Sequence, residues 1–277
     1  MLRRNKILNK IKARKLIIEP EVIIEKDSFA NAWYRGLRHI KMNGREIHFG
    51  GIDQSKENYE KKTAYDSDLT ISLTENALQE AIDGKIHPQF PTKQLVLEGY
   101  LKEWDRGYDW KKQGFTYCYE DRAEAYQGYK NRGFSCDDIL TAFTIDQWKL
   151  AKEDIAGQIS TGIQSNRNVI VIGNPSIDRY DIPDSPPCLR EIWIRWEGFI
   201  DDVPVCTTKW IFRSRDFGSA WITNIVGILS AINREVLKPN KCELIQAVDK
   251  NHSSHVYFGD RDLMETIKRI AQLDKYM

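Results

Sequence analysis

Between Pro187 and Tyr257 lie side chains that could together hold a heterocycle and attack it. Cys188 follows Pro186-Pro187, whose rings fix the approaching backbone and could set a thiol rigidly at the mouth of a strand. The thiolate is the reactive form, and a neighbouring guanidinium favours it. A buried cysteine is more often an inert small hydrophobe, and Cys118, Cys136, Cys206 and Cys242 are read that way; for Cys188 nucleophile and packing residue stay equally open. Arg213-Ser214, 25 residues further on, offers a planar donor fork and a hydroxyl suited to phosphate, although an isolated strand-end arginine is more commonly just a surface residue. Arg167 is a second, weaker phosphate candidate. Asn224 stands in an apolar run between Trp221 and Val226, where an amide must be satisfied. Its paired donor and acceptor match the N3–H and O4 edge of uracil, whereas a cap or a solvent-facing position is the plainer use. His255 and Tyr257 alternate along a strand pattern and could bind a sugar hydroxyl, although ordinary packing is the commoner role.

These residues need elements to place them. Glu21–Glu25 has strand composition, and Asp27-Ser28 offers a cap for a helix over 29–43 that Gly44 stops. A strand is expected over Asp66–Leu73, a helix from Thr92 to Gly107, and an amphipathic helix from Ile145 to Ile159. Asn168–Ile172 reads as a buried strand. Ile192–Trp196 and Val203–Phe212 predict a hairpin joined through Glu197–Asp202. A hydrophobic helix follows over Ala220–Val236. Cys242–Val248 and His255–Phe258 are expected as two strands, and Asp260–Leu273 as a closing helix. Helices and strands mix without strict alternation, which favours an α+β fold over a doubly wound sheet.

The bulk composition narrows the function classes. Hydrophobic residues make up 41% and aromatics 11% of the 277 residues, a composition that folds. The net charge of +1 provides no global field toward nucleic acid or an acidic membrane, so any phosphate must be held locally. No apolar run reaches the roughly 18–20 residues that span a bilayer. Five cysteines without a CxxC pair argue against a disulfide framework or a structural zinc site and fit a reducing, cytoplasmic setting. Residues 1–20 carry seven Lys/Arg and read as a basic extension ahead of a single domain over 21–277.

In chain order, Pro187-Cys188, Arg213-Ser214-x-Asp216, Asn224 and His255-x-Tyr257 resemble the thymidylate synthase family, which includes related nucleotide hydroxymethylases. Cys188-Leu189, Ala220-Trp221, the opening Asp27–Trp33 and Tyr117-x-Tyr119-x-x-Arg122 are similar to its archaeal-type branch. The resemblance spans about residues 21–260 and implies a large mixed β-sheet packed with helices, with the sheet forming a homodimer interface. It implies that Cys188 adds to carbon 6 of a pyrimidine nucleoside monophosphate. Arg213, Ser214 and, across the dimer, Arg167 would hold the phosphate; Asn224 would read uracil; His255 and Tyr257 would bind the deoxyribose hydroxyl. Asp216 would contact the pterin of 5,10-methylenetetrahydrofolate, used as a co-substrate without a metal. Tyr119 would belong to the proton-transfer network, and Glu98, with Glu103 nearly equivalent, would act as acid/base through water. The expected reaction is methylation of dUMP to dTMP. The alternatives are hydroxymethylation of dUMP or a cytidine nucleotide, and a non-catalytic nucleotide- or RNA-binding protein of the same fold. A cysteine protease is disfavoured because no histidine has a triad context. The chain departs from the family at Asn166-Arg167, where paired arginines are common, at Gly173, where a tryptophan is often found, in its final residues 273–277, and in the longer stretch from Tyr119 to Arg167. These departures leave the product, methyl or hydroxymethyl, open.

Overall fold

The computed structural model describes residues 21–25, 28–49, 62–83, 101, 104, 119–123, 146–173, 187–218 and 220–257. The longest strands supply its frame. Strands β5 (Leu189–Ile200) and β6 (Val203–Phe212) form a hairpin closed by Asp201 and Asp202 alone, at φ 48° and 64°. Two residues at positive φ give a turn whose twist matches the strands, and Asp tolerates that region. The six-residue connector expected from sequence is therefore too long. Strand β5 runs on to Ile200 through a register shift between Trp196 and Gly198, with Gly198 at φ 131°, so Gly198–Ile200 still pair with β6 and Glu197 is the residue the bulge leaves out of register.

A second correction concerns the C-terminal strands. The two expected from sequence are one, β8 (Glu243–Tyr257). Its polar middle, Asp249–Ser254, looks like a loop in sequence, but neighbours on both edges satisfy the backbone. Strand β3 (Lys62–Thr74) pairs antiparallel along one edge, while β6 and the short β7 (Arg215–Asp216) pair parallel along the other. With β1 (Glu21–Glu25), β2 (Arg45–Phe49) and β4 (Val169–Val171), the described residues form an eight-stranded mixed sheet of order β1-β3-β8-β6-β5-β4, with β2 on β3 and β7 on β8. The α+β expectation holds.

Helix α1 (Phe29–Asn43) begins where Ser28 Oγ accepts the Asn31 N–H at 3.4 Å and ends where the Gly44 N–H donates to Ile40 O at 2.8 Å, as the capping pattern predicts. Helices α2 (Glu75–Ile82), α3 (Tyr119–Ala123) and α4 (Gln147–Thr161) follow, the last capped by Asp146 and stopped by Gly162 at φ 70°. Helix α5 (Ala220–Ile232) continues into a π turn over Asn233–Leu237 and a short α6 (Lys238–Asn240). The expected helix over 92–107 lies outside the described residues except for Leu101 and Trp104, and so do the expected helix over 260–273 and the extension over 1–20.

One face of the sheet carries the core. Ile192, Ile194 and Trp196 of β5 and Trp210 and Phe212 of β6 are buried with Phe29, Trp33 and Leu37 of α1 and Trp221, Ile225 and Leu229 of α5. Phe29 stacks on Trp221 at 5.0 Å, and Trp33 donates to Phe217 O at 3.1 Å, tying α1 to the turn after β7. Each such side chain removed from water contributes about 1.5–3 kcal/mol. The opposite face presents Trp193, Arg195, Thr207, Lys209, Gln246 and Val248 around a cavity of about 390 Å³. Among the described residues no helix is long and apolar enough to cross a membrane.

Candidate active site

Cys188 sits one residue ahead of β5, where the chain is fastened to the segment leaving β6. The Arg213 N–H donates to Cys188 O at 2.9 Å, and Arg213 Nε donates to Pro187 O at 3.3 Å. Two opposed contributions act on the thiol. Burial pushes it above the ordinary cysteine value, and the guanidinium charges of Arg213 and then Arg215 pull it back. The residue is only half-buried, packed against the core yet open on one side. Burial is the larger effect, so the thiol stays above the ordinary cysteine value and is held mostly protonated, with the two guanidinium charges limiting the rise.

The segment Arg213–Asp216 then joins β8. Arg213 and Ser214 are partly exposed, Arg215 pairs in register with Ser254, and Asp216 with His255. The Phe217 N–H donates to His255 O at 2.8 Å, and Asp216 Oδ1 accepts the Gly218 N–H at 3.0 Å, which fixes the turn into α5. His255 is buried between strands; burial lowers its pKa, while Asp216 and Asp66 raise it, with burial the larger effect. Its imidazole is therefore neutral near pH 7. Tyr257 lies two residues further along β8, opposite Ala64.

Asn224 lies on α5, the helix this turn launches. It is one of the few half-buried positions there, flanked by buried Thr223 and Ile225, and its amide has no hydrogen-bond partner among the described residues. Tyr119 opens α3 with its ring 5.6 Å from that of Trp104, and its phenol is electrostatically coupled to Arg215. Cys188, Arg213, Arg215 and Tyr119 therefore form one neighbourhood, to which β8 adds His255 through Asp216. Arg167 does not join it: it is exposed on the loop entering β4, the edge strand at the far end of the sheet order. Glu98 and Glu103 lie outside the described residues.

No protein-family model matches the chain, and no curated protein sequence matches it. Among solved structures, the chain is similar to thermostable thymidylate synthase A from Bacillus subtilis, with a TM-score of 0.52 and 16% identity over 87% of this chain and 84% of that one. The two share a fold. In this thymidylate synthase-like fold, the half-buried thiol, the partly exposed Arg213 and the polar ends of β7 and β8 gather at one end of the sheet.

Three residues that the sequence reading passed over complete this end. Asp249 is fully buried, and its Oδ2 accepts from Arg215 Nη1 at 2.9 Å, Trp221 Nε1 at 2.7 Å and Asn251 Nδ2 at 2.9 Å. Arg215 is 1% exposed, its guanidinium lying 3.2 Å above the Phe212 ring. Asp66, on β3 opposite His255, pairs with Arg45 at 3.2 Å and accepts the Ser253 hydroxyl. A signal was available: Asp249 directly follows the largely apolar run Leu244–Val248, and a carboxylate that a strand buries calls for a partner. Arg215 occupies the spacer position of Arg213-Ser214-x-Asp216, where residue type alone assigns it no role.

Proposed function

We propose that this protein transfers a one-carbon unit from methylenetetrahydrofolate to carbon 5 of a pyrimidine nucleoside monophosphate, methylating dUMP through a covalent adduct at Cys188, as an archaeal-type thymidylate synthase would. The reading rests on one juxtaposition: a half-open thiol fastened through the backbone to Arg213, with the helix bearing the unpartnered Asn224 amide starting just after the same turn.

Each residue then has a defined task. Arg213 and Ser214 hold the phosphate, which orients the ring over Cys188. Asn224 donates to O4 and accepts from N3–H. The Cys188 thiolate adds to carbon 6, and the ring electrons move through carbon 5 toward O4, where the Asn224 donor meets the developing charge. The folate supplies the one-carbon unit and, for methylation, the hydride. Loss of the carbon 5 proton through water to Glu98 or Glu103, with Tyr119 in the same proton network, expels the folate nitrogen from the transferred carbon and leaves an exocyclic methylene. Hydride added to that methylene expels the sulfur and restores the carbon 5–carbon 6 double bond. Neutral His255, with Tyr257, binds the deoxyribose hydroxyl, and the half-buried Asp216 carboxylate would hold the pterin. Two subunits would pack through the sheet face that carries Trp193 and Lys209, each lending Arg167 to the other's phosphate.

The deciding experiment incubates the protein with dUMP, dCMP, UMP or CMP plus methylenetetrahydrofolate and weighs the product. Dihydrofolate with a methylated base supports the proposal, and tetrahydrofolate with a hydroxymethylated base reassigns the product. An absence of turnover on all four nucleotides overturns catalysis and leaves a binding protein of this fold.

A further inference from the structure

Arg215 and Asp249 are both at 0–1% exposure and form an ion pair at 2.9 Å. As a stabilising device the pair is poor. Taking two charges out of water is recovered only when geometry is good and every remaining donor and acceptor is satisfied. Among the described residues, Arg215 Nε and Nη2, Asp249 Oδ1, Asn251 Oδ1 and Ser254 Oγ are all buried without a hydrogen-bond partner. A hydrophobic pair of similar volume would serve the fold better, so the charges need a reason outside packing.

Position supplies one. The guanidinium lies on the Phe212 ring; Phe212 pairs in register with Leu189, and Leu189 follows Cys188. Two chain steps from Arg215, the Arg213 N–H is bonded to Cys188 O. Among the described residues, the charged and titratable groups around this pair are Arg213 on the loop after β6, Arg215 on β7, Asp249 on β8 and Tyr119 on α3. Arg213 is partly exposed and engaged with Pro187 O, so a phosphate that binds it takes up much of its charge. Arg215 is out of reach of bulk phosphate.

We infer that Arg215 is a second guanidinium serving Cys188: anchored by Asp249, it keeps positive charge beside the sulfur after Arg213 has been claimed by the nucleotide's phosphate. It is a positioning residue, acting through Cys188 without touching substrate. The inference rests on the reading of Cys188 as the nucleophile. It adds a division of labour in which one arginine binds the anion and the other stabilises the thiolate. Asp249 sets the strength of the effect, because its carboxylate fixes the guanidinium and offsets part of its field.

The test reads the thiol without nucleotide or folate. The rate of Cys188 modification by iodoacetamide is followed against pH by peptide mass spectrometry, which separates Cys188 from the other four cysteines. The paired replacement Arg215→Met with Asp249→Leu removes both charges while keeping bulk, and circular dichroism reports whether it folds. In the folded pair, the titration midpoint of Cys188 moves up and modification near neutral pH slows about tenfold, the rate equivalent of one unit. Asp249→Asn keeps the hydrogen-bond acceptor, removes the offsetting charge and moves the midpoint down. An unchanged midpoint in the folded pair overturns the inference. If the pair does not fold, the neutral hydrogen-bonding pair Arg215→Gln with Asp249→Asn decides: a raised midpoint sustains the inference, and an unchanged or lowered one overturns it. Arg215→Lys should lie between wild type and the pair, because it keeps the charge and loses the fork. A shifted midpoint in a protein that turns over no pyrimidine would uphold Arg215's role and remove the transfer reaction, whereas turnover with an unmoved midpoint would do the reverse.

Discussion

Strands β5 and β6 carry a cysteine near each end, and the two ends differ in kind. Cys206, opposite Trp196 near the hairpin turn, is fully buried; contact with the Cys242 thiol, then burial, then the Glu197 carboxylate all push its thiol upward. Cys188, at the other end, shares the burial but faces Arg213 and Arg215, which oppose it. Burial alone makes a cysteine a small hydrophobe; the sign of the charges beside it decides whether it can become a nucleophile. The sheet supplies the same backbone to both ends. Polar density separates them, because Asp66, Asp216, Asp249 and His255 all gather at the Cys188 end of β8.

The largest contrast between the ends should appear in turnover. Cys188→Ser is expected to lower kcat at least about a thousandfold while nucleotide binding, measured by calorimetry, survives. Cys206→Ser should leave kcat within about twofold of wild type, and a comparable loss at both positions would erase the distinction drawn here. Next in size is stability: Trp221→Ala removes a buried indole that packs on Phe29 and Phe217 and donates to Asp249, and should cost about 3–5 kcal/mol in urea unfolding. Arg213→Ala should weaken nucleotide binding about tenfold to a hundredfold with little change in unfolding, since a charge-assisted hydrogen bond contributes about 1.5–3 kcal/mol.

The smallest effect concerns pH. Burial holds His255 below the ordinary histidine value, so the unfolded chain binds its proton more readily than the folded one. Stability from this group is therefore present above about pH 6.5 and falls as pH drops through the depressed folded value. His39 is shifted the same way by burial and adds to the slope. Unfolding curves from about pH 7.5 to about pH 5.5 should show less acid sensitivity in His255→Asn than in wild type, and an unaltered slope would place the effect on His39 or elsewhere.

Much of the frame was legible in the chain because local chemistry dictated it. Ser28 and Gly44 bound α1 as capping rules require, and the alternation in Leu189–Phe212 gave a hairpin with one buried face. Errors arose where partners decided. The polar stretch Asp249–Ser254 became strand because β3, β6 and β7 line both its edges, and Gly198–Ile200 stayed in the ladder because a bulge at Glu197–Gly198 absorbs the extra residue. Of the candidate site, residue types alone leave Cys188, Arg213, Asn224 and His255 each open between chemistry and packing, and only their ordered resemblance to the thymidylate synthase family joins them into one set.

What the chain determined by itself was therefore an inventory: a thiol behind two prolines, a strand-end arginine, an amide in an apolar helix and a strand with paired polar residues. What only the folded structure decided was which charges meet. Arg215 and Asp249 lie 34 positions apart, and His255 lies 189 positions from Asp66; no local propensity encodes such pairings. Parallel pairing of β6 and β7 with β8, and antiparallel pairing of β3 on its other edge, bring them together, because a sheet buries what its registers oppose and the low-dielectric interior then makes each charge felt by the next.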